Sequence, residues 1–443
     1  RKALVLGLCA ASMALLSAVA IGSTQPVAED PSTTGEAPRG FARIEEPAPP
    51  EGLIGMPGMP RQAPAPATLK ARDPTQGPLL EAMQAELVRA RDQLRLPEQP
   101  APYFISLWVQ ESANAIIAVN NGALLYLDLG DDPQRPAAAQ VRVGSYAFDN
   151  AQRSPRDQHT YGSLGDLLDE EDGLRRLVPM DDDPTAARTA LWFVTDLAYK
   201  RALIDYQKKK ALQTLTMQGK EEHLPDFSRE QPARYLGPVG ASPIDLAGWK
   251  APLARVTRML VEHPEIQDAL AMLQVERWTD YYVNTEGTIV RQPGELHTLL
   301  VQVKAQAVDG TPLGNFRTYA VRDPAELPNV ERLLADAESM AAELLALRHA
   351  EELPPYTGPA LMDGEVAGVF LHEALGHRLE GERQRRPEEG HTFRHKIGKR
   401  ILPEFLTVVD DPTLERYEGR TLSGFYRYDH EGVPAQRVAL VQN

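Results

Sequence analysis

Residues 364–382 read GEVAGVFLHEALGHRLEGE, and they contain His372-Glu373 followed after three residues by His377. Two imidazoles and a carboxylate adjoin an apolar run, 366–371, that reads as a buried helix. No other stretch combines metal-ligand types with a general base at this density. The spacing sets the problem. Histidines four apart on an α-helix stand roughly 40° apart around the axis and share an ion readily. Histidines five apart diverge by roughly 140° on a regular helix and cannot share one. A one-residue π-bulge realigns them, and such bulges favour functional sites. The sequence therefore predicts a bulge or break between Ala374 and His377, eased by Gly376. The opposing interpretation is a pair of ordinary, partly buried histidines with Glu373 as a solvated neighbour. The residues alone leave both open.

Outward from this motif, composition limits the rest. The chain has 443 residues and a formal net charge of -15. That length suffices for two or three domains. The acidic balance argues against a nucleic-acid partner and against adsorption on anionic lipid. Cys9 is the single cysteine, which excludes an intrachain disulfide and a cysteine-rich metal site.

Residues 1–20 read as an export signal. Arg1 and Lys2 are basic, the run from Ala3 to Ala20 is apolar, and Ala18-Val19-Ala20 resembles a cleavage site. This implies an exported, periplasmic protein, with an uncleaved membrane anchor as the alternative. Residues 21–76 are rich in Pro, Gly and Ala and are expected to be a flexible linker.

A first domain is expected over 77–354. It contains a helix over 79–94 and strands over 103–109 and 115–120. The latter leads through Asn121-Gly122 into a hairpin strand at 123–129. A further strand is expected over 139–148 and a long helix over 186–216. Lys208, Lys209 and Lys210 read as a solvated helix face. Residues 218–250 look like a loop-rich insertion. Periodicity suggests a helix over 254–272, strands over 274–282, 288–291, 296–307 and 314–321, and a helix over 330–351. Pro354-Pro355 marks the boundary. Beyond it come a short strand before the motif, Asp363 as the helix N-cap, a charged stretch over 382–391, and strands at 407–410 and 434–441. The fold class is thus α+β. An N-terminal α/β domain with an antiparallel sheet and long helices precedes an incomplete β-rich domain, 355–443, that carries the motif helix.

Taken together, HEALGHRLEGE at 372–382, Lys396-Ile397-Gly398, the segment LTVVDD at 406–411 and DHEGVP at 429–434 resemble the TldD/PmbA family of metallopeptidases. The half before residue 355 is similar more loosely to that family's N-terminal domain. The resemblance implies that His372 and His377 are zinc ligands and that Glu373 is the catalytic base. It implies a third ligand, a cysteine, downstream of Asn443, so the chain is expected to be truncated. It also implies small or unfolded peptide substrates and a homodimer, or a heterodimer with a family paralogue. The alternative is a non-catalytic peptide-binding or scaffolding subunit of such a dimer.

Among the remaining candidates, Arg378, Glu380 and Glu382 read first as solvating the helix end or forming ion pairs, and second as orienting ligands. His391 and His395 stand four apart but lack an adjacent glutamate. No Gly-x-Ser-x-Gly elbow and no phosphate-binding glycine loop is present.

Overall fold

The computed structural model describes residues 2–5, 77–130, 132–151, 176–215, 225–238, 244–351, 353–381 and 391–442. Residues 1–9 and 73–443 form one compact unit, and the second unit, 10–72, lies outside the described residues. The expected linker and most of the expected signal segment fall outside them too. No helix among the described residues is long and apolar enough to cross a membrane.

The architecture is α+β, built on one eight-stranded sheet. Its two longest strands are β2 (Pro102–Asn120) and β7 (Ile266–Asn284), each of 19 residues. They pair antiparallel from Ser106↔Asn284 to Asn120↔Leu270. On the far side of β7 lies β8 (Ile289–Gln306), followed by β9 (Pro312–Val321) as the next hairpin. The edge of β2 is shared by β3 (Ala123–Asp128) and β4 (Pro136–Val143), with the short β5 (Arg176–Leu177) beyond β4. Among the described residues the single parallel neighbour in this sheet is β6 (Arg234–Leu236), against β8.

Strands of this length span about 60 Å at roughly 3.3 Å per residue, room for two pairs of helices side by side. Helices α1 (Pro78–Gln93) and α2 (Pro184–Leu215) cover one end, over Ile105, Leu107, Val109, Tyr281 and Val283. Helices α3 (Lys250–Leu260) and α4 (Val330–Leu347) cover the other, over Ile117, Val119, Ala271, Leu273 and Val301. All these strand positions are odd-numbered, so both cores lie on one face of the sheet.

Several local expectations change. The strands expected at 103–109 and 115–120 are one continuous strand. Residues 110–114 lie between the two cores and all but Ala113 are polar; on the opposite face of the sheet Gln110 donates to Asp280 at 2.9 Å. The same holds for β8, where Pro293 and Gly294 sit within the ladder opposite Thr279 and Trp278. The helix expected over 254–272 ends at Leu260, and β7 starts at Ile266. There the flanking strands override the helix propensity of Ala269, Leu270, Ala271 and Met272. No strand forms over 353–363. Lys209 is not solvated: it is buried and paired with Asp226, whereas Lys208 and Lys210 are exposed. The Asn-Gly hairpin does form, with φ of 48° at Asn121 and 83° at Gly122, the left-handed pair that a tight hairpin turn requires.

The C-terminal part contains α5 (Gly364–Leu371), a π-helical turn (His372–Gly376) and α6 (His377–Leu379). A second small sheet has β10 (Leu406–Asp410) between β1 (Lys2–Val5), parallel, and β13 (Val438–Val441), antiparallel. The pair β11 (Arg416–Tyr417) and β12 (Arg420–Thr421) forms a ribbon. Residues 423–432 lie on the sheet face opposite the helices. The Gln292 side-chain amide accepts from the backbone N–H of Tyr428 at 2.9 Å and donates to its carbonyl at 3.0 Å. The Tyr428 ring stacks on Tyr235, and Arg322 donates to the Phe425 carbonyl.

The strand pair β7–β8 supplies a stability test. Trp278 lies over Gly294 so closely that a Cβ there would overlap the indole. Gly294→Ala should therefore destabilise the protein by about 1–3 kcal/mol, read as a lower urea midpoint. An unchanged midpoint would show that the indole moves aside without cost.

Candidate metal centre

The motif helix starts on a side-chain cap. The Asp363 carboxylate accepts from the Val366 backbone N–H at 2.9 Å, satisfying one of the donors that a helix N-terminus leaves unpaired. From there the chain is α-helical to Leu371. At His372 the hydrogen bonding changes: the backbone N–H of His377 reaches the carbonyl of His372, five residues back. The distortion expected near Gly376 is thus a π turn that begins earlier, at His372.

Its effect is to put both histidines on one side of the helix. Their ring centroids are 4.5 Å apart, with planes crossing at 72°. One ligand atom from each of His372, Glu373 and His377 lies within 4.8 Å of the others. Two zinc ligands at tetrahedral geometry, with bonds of about 2.0–2.1 Å, sit about 3.3 Å apart, so a small side-chain closure would let the two imidazoles share one ion. A Glu373 oxygen is 3.8 Å from His372 Nε2, and its other oxygen is 3.9 Å from His377 Nε2. His377 Nδ1 lies 2.6 Å from Glu380 Oε1. The spacing of three between His377 and Glu380 is the sequence signal for that contact. Residue 382 lies outside the described residues, as does most of the charged stretch 382–391.

Two expectations about the surroundings do not hold. The apolar helix α5 is not buried: Val366 is 54% exposed, Val369 57% and Phe370 52%. Among the described residues that face stays about half open, so its apolar composition records a preference for burial that these residues meet only in part. Gly376 has ordinary helical torsions, φ -53° and ψ -61°. A Cβ on it would meet only the Leu371 carbonyl, at 3.8 Å. The turn therefore does not draw on glycine's conformational freedom. His391 is half-buried beside Arg394 and His395 is exposed. Neither belongs to a cluster of three ligand-type side chains among the described residues.

Comparison with known proteins agrees with this geometry. Residues 355–443 match the PmbA/TldA metallopeptidase C-terminal domain. A metalloprotease of Methanocaldococcus jannaschii is 34% identical over 130 residues, covering 29% of this chain and 26% of the relative. A TldD metalloprotease homologue of Buchnera aphidicola from Acyrthosiphon pisum is 37% identical over 106 residues, covering 24% of this chain and 20% of the relative. The chain is thus homologous, at family level, to the TldD/TldE/PmbA metalloproteases, and it spans between a fifth and about a third of the length of the first curated relatives it matches. A crystal structure from Bacteroides thetaiotaomicron, described as a modulator of DNA gyrase, superimposes with a TM-score of 0.51 at 10% identity, over 82% of this chain and 69% of that one. That likeness concerns the fold alone.

The open space at Gly376 sets a test. Gly376→Ala should leave the π turn intact and raise stability by up to about 1 kcal/mol through helix propensity. Thermal denaturation reads this directly, and a lowered midpoint would show that the turn needs a residue without a side chain.

Proposed function

We propose that this chain carries the ligand-and-base portion of a zinc peptidase site. His372 and His377 hold the ion and Glu373 acts as general base. The observation that carries this reading is the π turn, which brings His372 to the side of the helix where Glu373 and His377 are already i,i+4 neighbours. The homology to metalloproteases supports the same assignment. A third protein ligand, a cysteine by the family resemblance, would complete the set.

Zinc, when bound, supplies Lewis-acid polarisation of a scissile carbonyl and lowers the pKa of water. The chain's own residues divide the remaining work. His372 and His377 offer neutral imidazole nitrogens, which leave the ion its positive charge. Glu373 adjoins the first ligand in sequence and stands 3.8–3.9 Å from both rings. From there its carboxylate takes a proton from the attacking water and returns it to the leaving amine nitrogen. Its side chain is 54% exposed, so peptide can approach it.

The proposal extends to the rest of the molecule. Residues 77–354 act as an N-terminal domain and 355–443 as the start of a metallopeptidase domain. Small or unfolded peptides are the substrates, and the working form is a dimer with a second copy or a family paralogue. The basic start and apolar run of residues 1–20 support export. Removing that segment would take β1 from β10 but leave β10 paired with β13.

The test uses the protein with its complete ligand set. Zinc content is measured alongside cleavage of an unstructured peptide. Glu373→Gln should keep zinc and lose about 10²–10⁴-fold in kcat, while the double variant His372→Ala/His377→Ala should lose zinc. Equal cleavage by wild type and Glu373→Gln would sink Glu373 as the base. Zinc retained without both histidines would sink the metal assignment. Peptide binding without hydrolysis in a zinc-loaded wild type would favour the scaffolding reading.

A further inference from the structure

We propose that Glu380 is a positioning residue that fixes the tautomer of His377, so that Nε2 of this ring is the bare nitrogen facing His372 and Glu373. This deepens, and rests on, the reading of His372 and His377 as ligands. The argument begins from hydrogen-bond chemistry. An ionised carboxylate only accepts, so at 2.6 Å from Glu380 Oε1 the Nδ1 atom of His377 must carry the proton. A neutral imidazole holds one N–H. The second nitrogen, Nε2, is then left with its lone pair, and it is this atom that lies 3.9 Å from Glu373 Oε2 within the ligand cluster. A histidine without such a partner prefers, in water, the opposite tautomer with Nε2–H, which offers no lone pair to an ion on that side.

The local backbone explains how Glu380 reaches the ring. Helix α6 ends at Leu379, and Glu380 leaves the helix with φ -58° and ψ 124°. Glu380 stands three positions after His377, the spacing of neighbours on a helical surface. The side chains are 39% and 47% exposed. Exposed ion pairs add little to folding stability, so the contact acts on the orientation of one ring rather than on the fold. His372 has no comparable hydrogen bond to its ring among the described residues. Among the described residues the two histidines are therefore unequal: the His377 ring has a carboxylate at hydrogen-bond distance and the His372 ring has none.

The test reads the tautomer first and metal second. The metal-free full chain, labelled with 15N-histidine, is examined at a pH where imidazole is neutral, with His377 assigned from its loss in His377→Asn. The expected wild-type signal is Nδ1–H. Glu380→Ala should shift it to mainly Nε2–H. Glu380→Gln, whose amide oxygen can still accept, should keep it. The melting midpoints of the three metal-free proteins should agree, as a purely structural role would not allow. In the protein with its complete ligand set, Glu380→Ala should weaken zinc binding by about 10–100-fold in chelator competition, and Glu380→Gln by less. An Nε2–H signal in wild type, or an unchanged Nδ1–H signal in Glu380→Ala, would overturn the proposal. A wild type with the expected tautomer that takes up no zinc would instead overturn the peptidase reading, while the hydrogen-bond assignment stood on its resonance.

Discussion

One backbone hydrogen bond, from the N–H of His377 to the carbonyl of His372, decides what the motif can do. In a regular helix the bond would run from residue 376, and the two imidazoles would point to different sides. The extra residue in the ring brings the histidines to one side and keeps Glu373 between them. The contact between Glu380 and the far nitrogen of His377 follows from the same turn, because the helix resumes for only three residues before it ends. A small backbone irregularity thereby gathers the two imidazoles and the carboxylates of Glu373 and Glu380 at one place.

The large sheet plays a different part. Its helix-covered face holds the two apolar cores, while the other face receives residues 423–432 through Gln292, Tyr235 and Arg322. Gln292 and Arg322 hold backbone groups of the arriving segment, and only the stack on Tyr235 uses one of its side chains, Tyr428. The ion pair between Arg416 and Glu326 adds a further tie from the β11–β12 ribbon to the loop after β9. The segment that follows the motif is thus anchored on a rigid surface, whereas α5 itself presents Val366, Val369 and Phe370 to solvent.

Features determined by neighbours in sequence were legible before the structure. The Asp363 cap, the Asn121-Gly122 hairpin and the need for a distortion between the histidines each rest on a few adjacent residues. The class of the fold, with its antiparallel sheet and long helices, also followed from periodicity. What failed was decided at longer range. The polar stretch 110–114 looked like a break because nothing local shows that it lies between two cores on one strand. Residues 266–272 carry helix formers but are claimed by β2 and β8. Lys209 looked solvated until Asp226, 17 residues away, was seen to meet it. The apolar residues of α5 expressed a preference that only a packing partner can satisfy.

The pairing of β2 with β7 also has a kinetic side. The contact between Ile105 and Thr285 joins residues 180 apart, whereas β7, β8 and β9 follow one another as hairpins. Closing the long loop costs entropy before its pairings return any stability. At about 5–20 residues per second of synthesis, β2 waits roughly 9–36 s for its partner strand to be made. Over that interval Leu107, Ile117 and Val119 have only the short strands β3 and β4 and the early helices beside them. The order of elements along the chain therefore imposes a period of exposed apolar edge during synthesis, and the meander β7–β9 is the template on which the earlier half finally closes.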